Sequence, residues 1–126
     1  MNFRTPLGKA RGLGTAKMGA GDWWAQRVTA VALIPLSLWS VWFLSRLLEL
    51  SHAEMLTWLT RPSNAILLLA YLGAGFYHAM LGLKVVIEDY VHSQWLQTAS
   101  LLVVQLALAL LALTAAFAVL RLLLAV

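Results

Sequence analysis

The residues best suited to chemistry lie in one stretch, His78 to Tyr90, which begins inside an apolar segment and ends at its polar edge. A helix turns by about 100° per residue, so Asp89 returns close to the face of His78, and Gly82 lies on the same stripe. This face carries an imidazole deep in the apolar segment, a glycine without a side chain, and a carboxylate at the polar end, next to Tyr90. A glycine one turn from a histidine leaves the space that a flat, bulky ligand needs.

The composition places this stretch in a membrane protein. Of the 126 residues, 62% are hydrophobic and 11% are charged, and the mean hydropathy is +0.83, which is too apolar for a soluble domain of this size. Charge-free apolar runs cover residues 28–45, 62–83 and 101–120. A helix needs about 20 residues to cross the hydrocarbon core, and lipid cannot satisfy the edges of an open sheet. The sequence therefore predicts an all-α integral membrane protein with three transmembrane helices.

The boundaries follow from the same runs. We predict a polar, basic tail over residues 1–21 and a transmembrane domain over residues 22–126. Asp22 is expected to cap the first helix, because its carboxylate can accept from free backbone N–H groups. The segment between the first two spans is expected to be an outer loop. The predicted spans cover about residues 24–48, 62–88 and 99–125.

The charge pattern orients the chain. Five basic residues face one acidic residue in the first 27 positions, so the positive-inside rule places the N-terminus on the cytoplasmic or matrix side. Orientation and headgroup contact explain this basic tail better than nucleic-acid binding does. Cysteine is absent, which excludes disulfides, thiolate catalysis and iron–sulfur ligation by this chain. We expect the bacterial cytoplasmic membrane rather than the mitochondrial inner membrane.

Each candidate residue also has a plainer interpretation. His78 could hydrogen-bond to a neighbouring helix, although an imidazole in a span is costly unless something binds it. Tyr90 could be a tyrosine of the headgroup belt, and Asp89 could belong to a solvated helix end. Arg27 is either an arginine that reaches the headgroups from a helix end or a cation aimed at an anionic ligand group. His92 is interpreted as a surface residue.

Two motifs together resemble the small D-type membrane anchor of succinate dehydrogenase, respiratory complex II. One is Arg27-Val28-Thr29-Ala30, preceded by Trp23-Trp24-Ala25-Gln26, at the start of the first span. The other is His78-x-x-x-Gly82 followed by Asp89-Tyr90 at the end of the second span. The resemblance covers most of the chain, roughly from Gly12 to the C-terminus, and includes the number of spans.

The resemblance implies a cofactor and a substrate site. It makes His78 an axial ligand of haem b, which is shared with a C-type cytochrome b anchor that supplies the second histidine. It pairs Arg27 with a haem propionate, and Gly82, one turn from His78, would leave room beside that haem. It makes Tyr90 the hydrogen-bond donor to a quinone carbonyl, with Asp89 at the border of the same site.

The resemblance also implies partners and a function. Flavin and iron–sulfur clusters belong to a flavoprotein subunit and an iron–sulfur subunit on the cytoplasmic or matrix face. The chain itself is then the non-catalytic anchor of a succinate:quinone oxidoreductase, in which electrons pass from succinate to ubiquinone. A quinol:fumarate reductase anchor is the alternative within the class, and menaquinone is the alternative quinone. A structural or assembly membrane protein without a cofactor is the alternative from another class.

Overall fold

The computed structural model describes residues 16–124, which fold into three long helices and one short one. The helices are α1 (Ala16–Leu47), α2 (His52–Leu59), α3 (Pro62–Tyr90) and α4 (Gln94–Leu124). The three long helices contain segments long and apolar enough to cross a membrane, at Ala20–Leu47, Pro62–Tyr90 and Gln94–Leu124. This confirms the predicted all-α membrane fold with three spans.

Helix α3 lies between the other two long helices and contacts both α1 and α4. Within residues 16–124, buried apolar side chains are few: Phe43, Ala65, Leu81 and Val119. Most large apolar side chains point outward, as expected where lipid or a partner covers them. In lipid, small residues and polar contacts bring helices together, because the surrounding acyl chains are as apolar as leucine. Polar contacts between α1 and α3 therefore help to hold these two helices in register.

The segment predicted as an outer loop contains helix α2, eight residues long. Its start is stabilised by Glu54, whose carboxylate accepts from the backbone N–H of Ser51 at 2.9 Å and from its hydroxyl at 2.6 Å. These two bonds, the hydroxyl's first, hold the pKa of Glu54 below its ordinary value. At the other end of α2, Nδ2 of buried Asn64 donates to the carbonyl oxygen of Trp58 at 2.8 Å. The short helix is thereby tied to the start of α3.

The expected cap at Asp22 is wrong. Helix α1 begins at Ala16, so Asp22 lies inside the helix rather than at its end. Its carboxylate instead accepts a hydrogen bond from Nζ of Lys84 on α3. Residues 16–21 of the predicted tail are helical, and residues 1–15 lie outside the described part of the chain.

Candidate functional site at the α1–α3 interface

The imidazole of His78 is half-buried between α3 and α1. Two polar side chains of α1 contact its two nitrogens. Oγ1 of Thr29 lies 2.9 Å from Nδ1 of His78, and Nε2 of Gln26 lies 3.4 Å from Nε2 of His78. A histidine in a span is costly when unpaired, and these contacts compensate for part of that cost. They also fix the direction of the ring.

The polar neighbours of His78 form one stripe on α1. Asp22, Gln26 and Thr29 follow one another at intervals of four and three residues, which places them on one helix face. Across the interface, His78 and Lys84 of α3 contact this stripe. Because Asp22 contacts Lys84 while Gln26 and Thr29 contact His78, α1 and α3 run antiparallel. The predicted orientation thus places Lys84 near the membrane face and the imidazole deeper.

A shallow, open apolar groove of about 500 Å³, lined mainly by α1, borders His78. Arg27 lies three residues before the first wall residue, Ala30, on the adjoining face of α1. Its side chain is exposed, and its guanidinium carbon lies 5.3 Å from the centroid of the Trp23 ring. The imidazole, the groove and the cation therefore lie along one flank of the molecule. The groove is lined, besides His78, by Ala30, Leu33, Ile34, Ser37, Leu38 and Val41.

Gly82 faces the side chain of Gln26. A Cβ atom added at Gly82 would lie 3.6 Å from Nε2 of Gln26, which is an ordinary van der Waals distance. An alanine would therefore fit there without displacing the amide that contacts His78. The predicted role of Gly82 beside a cofactor stays a prediction.

The Asp22–Lys84 pair lines a second, smaller cleft of about 270 Å³ between α1 and α3. The side chains of Lys84 and Asp22 are 33% and 44% exposed, so solvent and headgroups screen the pair. Gln26 and Glu88 also line this cleft. The cleft therefore extends from the polar end of α3 down to the amide that contacts His78.

Asp89 and Tyr90 lie at the end of α3, and both are exposed. Tyr90 is 79% exposed, and twelve residues separate it from His78, a rise of about 18 Å along the helix. By helix geometry Asp89 lies about 20° around α3 from His78 and Tyr90 about 120°. Asp89 therefore shares the helix face of His78 whereas Tyr90 does not, and the phenol is open to a partner. His92 is exposed beyond the helix end.

Gln26, Thr29 and Lys84 are the polar residues whose contacts the sequence interpretation missed. Gln26 and Thr29 stood in the motif that carried the resemblance but had no assigned contact. Their signal was present: polar residues within or beside a span, spaced along one face, usually point into the bundle. Among residues 16–124, no group of three or more His, Cys, Asp or Glu side chains could hold a metal ion by itself.

Comparison with known proteins identifies the family. Residues 1–119 match the family model described as the succinate dehydrogenase/fumarate reductase transmembrane subunit. Proteins named succinate dehydrogenase hydrophobic membrane anchor subunit are among its relatives. One from Rickettsia bellii is 40% identical over 106 residues, covering 83% of this chain and 84% of the relative. One from Rickettsia conorii is 38% identical over the same shares of both chains.

A relative of the same name from Paracoccus denitrificans is 33% identical over 90 residues, covering 71% of this chain and 70% of the relative. No solved structure matches the chain. The relatives and the three apolar helices together indicate a multi-pass bacterial membrane protein. The chain belongs to the succinate dehydrogenase/fumarate reductase transmembrane subunit family.

Proposed function

We propose that the chain is a membrane anchor of a succinate:quinone oxidoreductase, with His78 as one axial ligand of haem b and Tyr90 as a donor to the quinone. The observation that carries the proposal is the position of His78. Its ring is held by two α1 side chains beside an apolar groove of about 500 Å³. The groove adjoins the helix face of Arg27.

The residues present fit a haem. Imidazole is a common axial ligand of haem iron, and an arginine pairs with carboxylates through charge-assisted, often bidentate bonds. Oε1 of Gln26 is buried beside the ring with no hydrogen-bond partner among residues 16–124, so the local network is incomplete within the described chain. His78 would bind the iron, and Arg27 would neutralise a propionate. When bound, the haem supplies a one-electron redox centre within the membrane.

A second axial ligand must come from another chain. His78 is the one histidine within the described spans, and His52 and His92 lie outside them. A haem held by two histidines would therefore need a histidine from a partner chain, and this is the role proposed for a second, C-type cytochrome b anchor. The dehydrogenase chemistry belongs in this proposal to a flavoprotein and an iron–sulfur subunit on the cytoplasmic face.

Tyr90 is proposed to act on the quinone by hydrogen bonding. A quinone oxygen gains negative charge during reduction, and a donor aimed at that oxygen stabilises the charge. A phenol can keep its ring in the apolar interface while its hydroxyl donates. Asp89 is proposed to orient a donor or to pass a proton from the aqueous side. The exposure of both residues at the end of α3 leaves them accessible to ubiquinone and to a partner subunit.

The test is a reduced-minus-oxidised absorption spectrum of the purified complex. We expect a low-spin b-type spectrum in the wild type and its loss in His78→Ala. His92→Ala is the matched control, because it removes an exposed histidine and should leave the spectrum unchanged. A b-type spectrum that persists in His78→Ala rules out the ligand assignment. A wild-type complex without a Soret band supports the cofactor-free alternative instead.

A further inference from the structure

We propose that Thr29 is a positioning residue that fixes the tautomer of His78. Its hydroxyl accepts a hydrogen bond from Nδ1–H of the imidazole, so that the lone pair lies on Nε2. The inference rests on the proposed function, because a nitrogen with a free lone pair is what iron requires. It assigns a chemical task to a residue of α1 that does not itself touch the iron.

The number of protons on the Thr29 hydroxyl decides the direction of the bond. A threonine hydroxyl has one proton and two acceptor lone pairs. Oγ1 lies 2.7 Å from the carbonyl oxygen of Ala25 and 3.1 Å from that of Gln26, and a carbonyl oxygen can only accept. The proton therefore points to the backbone, as is common for threonine within a helix. Toward Nδ1 of His78, at 2.9 Å, the hydroxyl can then only accept.

The other ring nitrogen has a complementary neighbour. A neutral imidazole has one N–H, so a proton on Nδ1 leaves Nε2 bare. The amide nitrogen of Gln26 lies 3.4 Å from Nε2 and can donate toward its lone pair. Rotating the amide by half a turn would bring Oε1 of Gln26 against Nε2 and would require the opposite tautomer. With the amide nitrogen in this position, both neighbours of the ring favour the same tautomer.

The contact with Gln26 is weak enough to be replaced. A donor–acceptor distance of 3.4 Å is longer than that of an ordinary hydrogen bond, whereas the Thr29 contact has ordinary length. A metal that binds Nε2 would therefore displace the amide and leave the Thr29 bond intact. A hydrogen bond from the remote ring nitrogen orients a metal-bound imidazole and raises its basicity. Thr29 should thereby favour ferric over ferrous iron.

The test compares Thr29→Val with Thr29→Ser in the purified complex. Valine keeps the shape of threonine but has no hydroxyl, and serine keeps the hydroxyl. We expect Thr29→Val to bind haem about tenfold more weakly, measured as faster haem transfer to excess apomyoglobin. If that loss falls on the ferric form, the midpoint potential rises by about 59 mV for a one-electron couple. Thr29→Ser should match the wild type in both measurements.

The outcomes separate this inference from the function on which it rests. If Thr29→Val has the wild-type rate of haem transfer and midpoint potential while His78→Ala loses its haem, the role of Thr29 is overturned and the haem proposal stands. Equal defects in the valine and serine variants also overturn it, because packing rather than the hydroxyl would then matter. Haem that persists in His78→Ala overturns both proposals. Thr29→Ala replaces the valine variant if that variant does not assemble, as judged by succinate oxidation with a soluble acceptor.

Discussion

Replacing Tyr90 by phenylalanine should slow quinone reduction without disturbing the fold. Tyr90 is 79% exposed, so the loss of its hydroxyl should not destabilise α3. The change therefore removes one donor and keeps the ring. Hydrogen bonds to charged groups contribute about 1.5–3 kcal/mol, and about 1.4 kcal/mol corresponds to a tenfold change in rate. We expect succinate:quinone turnover to fall at least tenfold.

The assay needs two electron acceptors. A soluble acceptor that takes electrons upstream of the quinone should give normal succinate oxidation in Tyr90→Phe, because the complex remains assembled. Tyr77→Phe is the matched control, since Tyr77 is a partly exposed tyrosine of the same helix, 45% exposed, outside the proposed quinone site. Normal quinone turnover in an assembled Tyr90→Phe complex would refute the donor role. Equal losses with both acceptors would indicate misassembly instead.

Three further predictions concern the haem face and the outer helix. Arg27→Leu should weaken haem retention, measured as haem per assembled complex. Arg27→Lys should weaken it less, because lysine keeps the charge but not the planar guanidinium group. If both variants retain haem as the wild type does, Arg27 acts only as an anchor at the membrane interface. Gly82→Ala should leave the haem spectrum unchanged, because its Cβ has room at 3.6 Å from Gln26. Gly82→Leu should instead place a bulky side chain one turn from His78 and alter the spectrum; a normal leucine variant would contradict this. The carboxylate of Glu54 accepts the capping hydrogen bonds of α2 in its ionised form. The cap should therefore stabilise α2 fully above the ordinary carboxylate pKa, and this stabilisation should be lost as the pH falls through the lowered pKa of Glu54. Hydrogen exchange of α2 amides, corrected for intrinsic rates, should show this pH dependence in the wild type and lose it in Glu54→Gln.

The three spans were predictable because each apolar run, as a helix, is about long enough to cross the hydrocarbon core. Shorter runs could not have been distinguished from helices buried in the core of a soluble protein. His78 was predictable as a candidate because one imidazole interrupts an otherwise apolar segment. Helix α2 was missed because eight residues make a weak periodic signal. Its start was nevertheless readable, since Ser51 followed three residues later by Glu54 is a capping-box pattern.

The contacts of His78 were not predictable from local sequence. They depend on the register between α1 and α3, which brings Thr29 and Gln26 to the ring although some fifty positions separate them along the chain (49 and 52). The same register explains the error at Asp22. A glycine-rich segment before an aspartate is typical of a helix start, but α1 extends to Ala16. The carboxylate of Asp22 instead accepts a hydrogen bond from Lys84 across the interface.

A structure of the assembled complex by electron cryomicroscopy tests the haem assignment most directly. We expect a haem beside α1, with its iron bonded to Nε2 of His78 and to a histidine of a partner chain. Nδ1 of His78 should remain within hydrogen-bond distance of Oγ1 of Thr29, while the Gln26 amide has moved away from Nε2. A haem ligated elsewhere, or an assembled complex without haem in which His78 keeps both α1 contacts, would contradict the assignment.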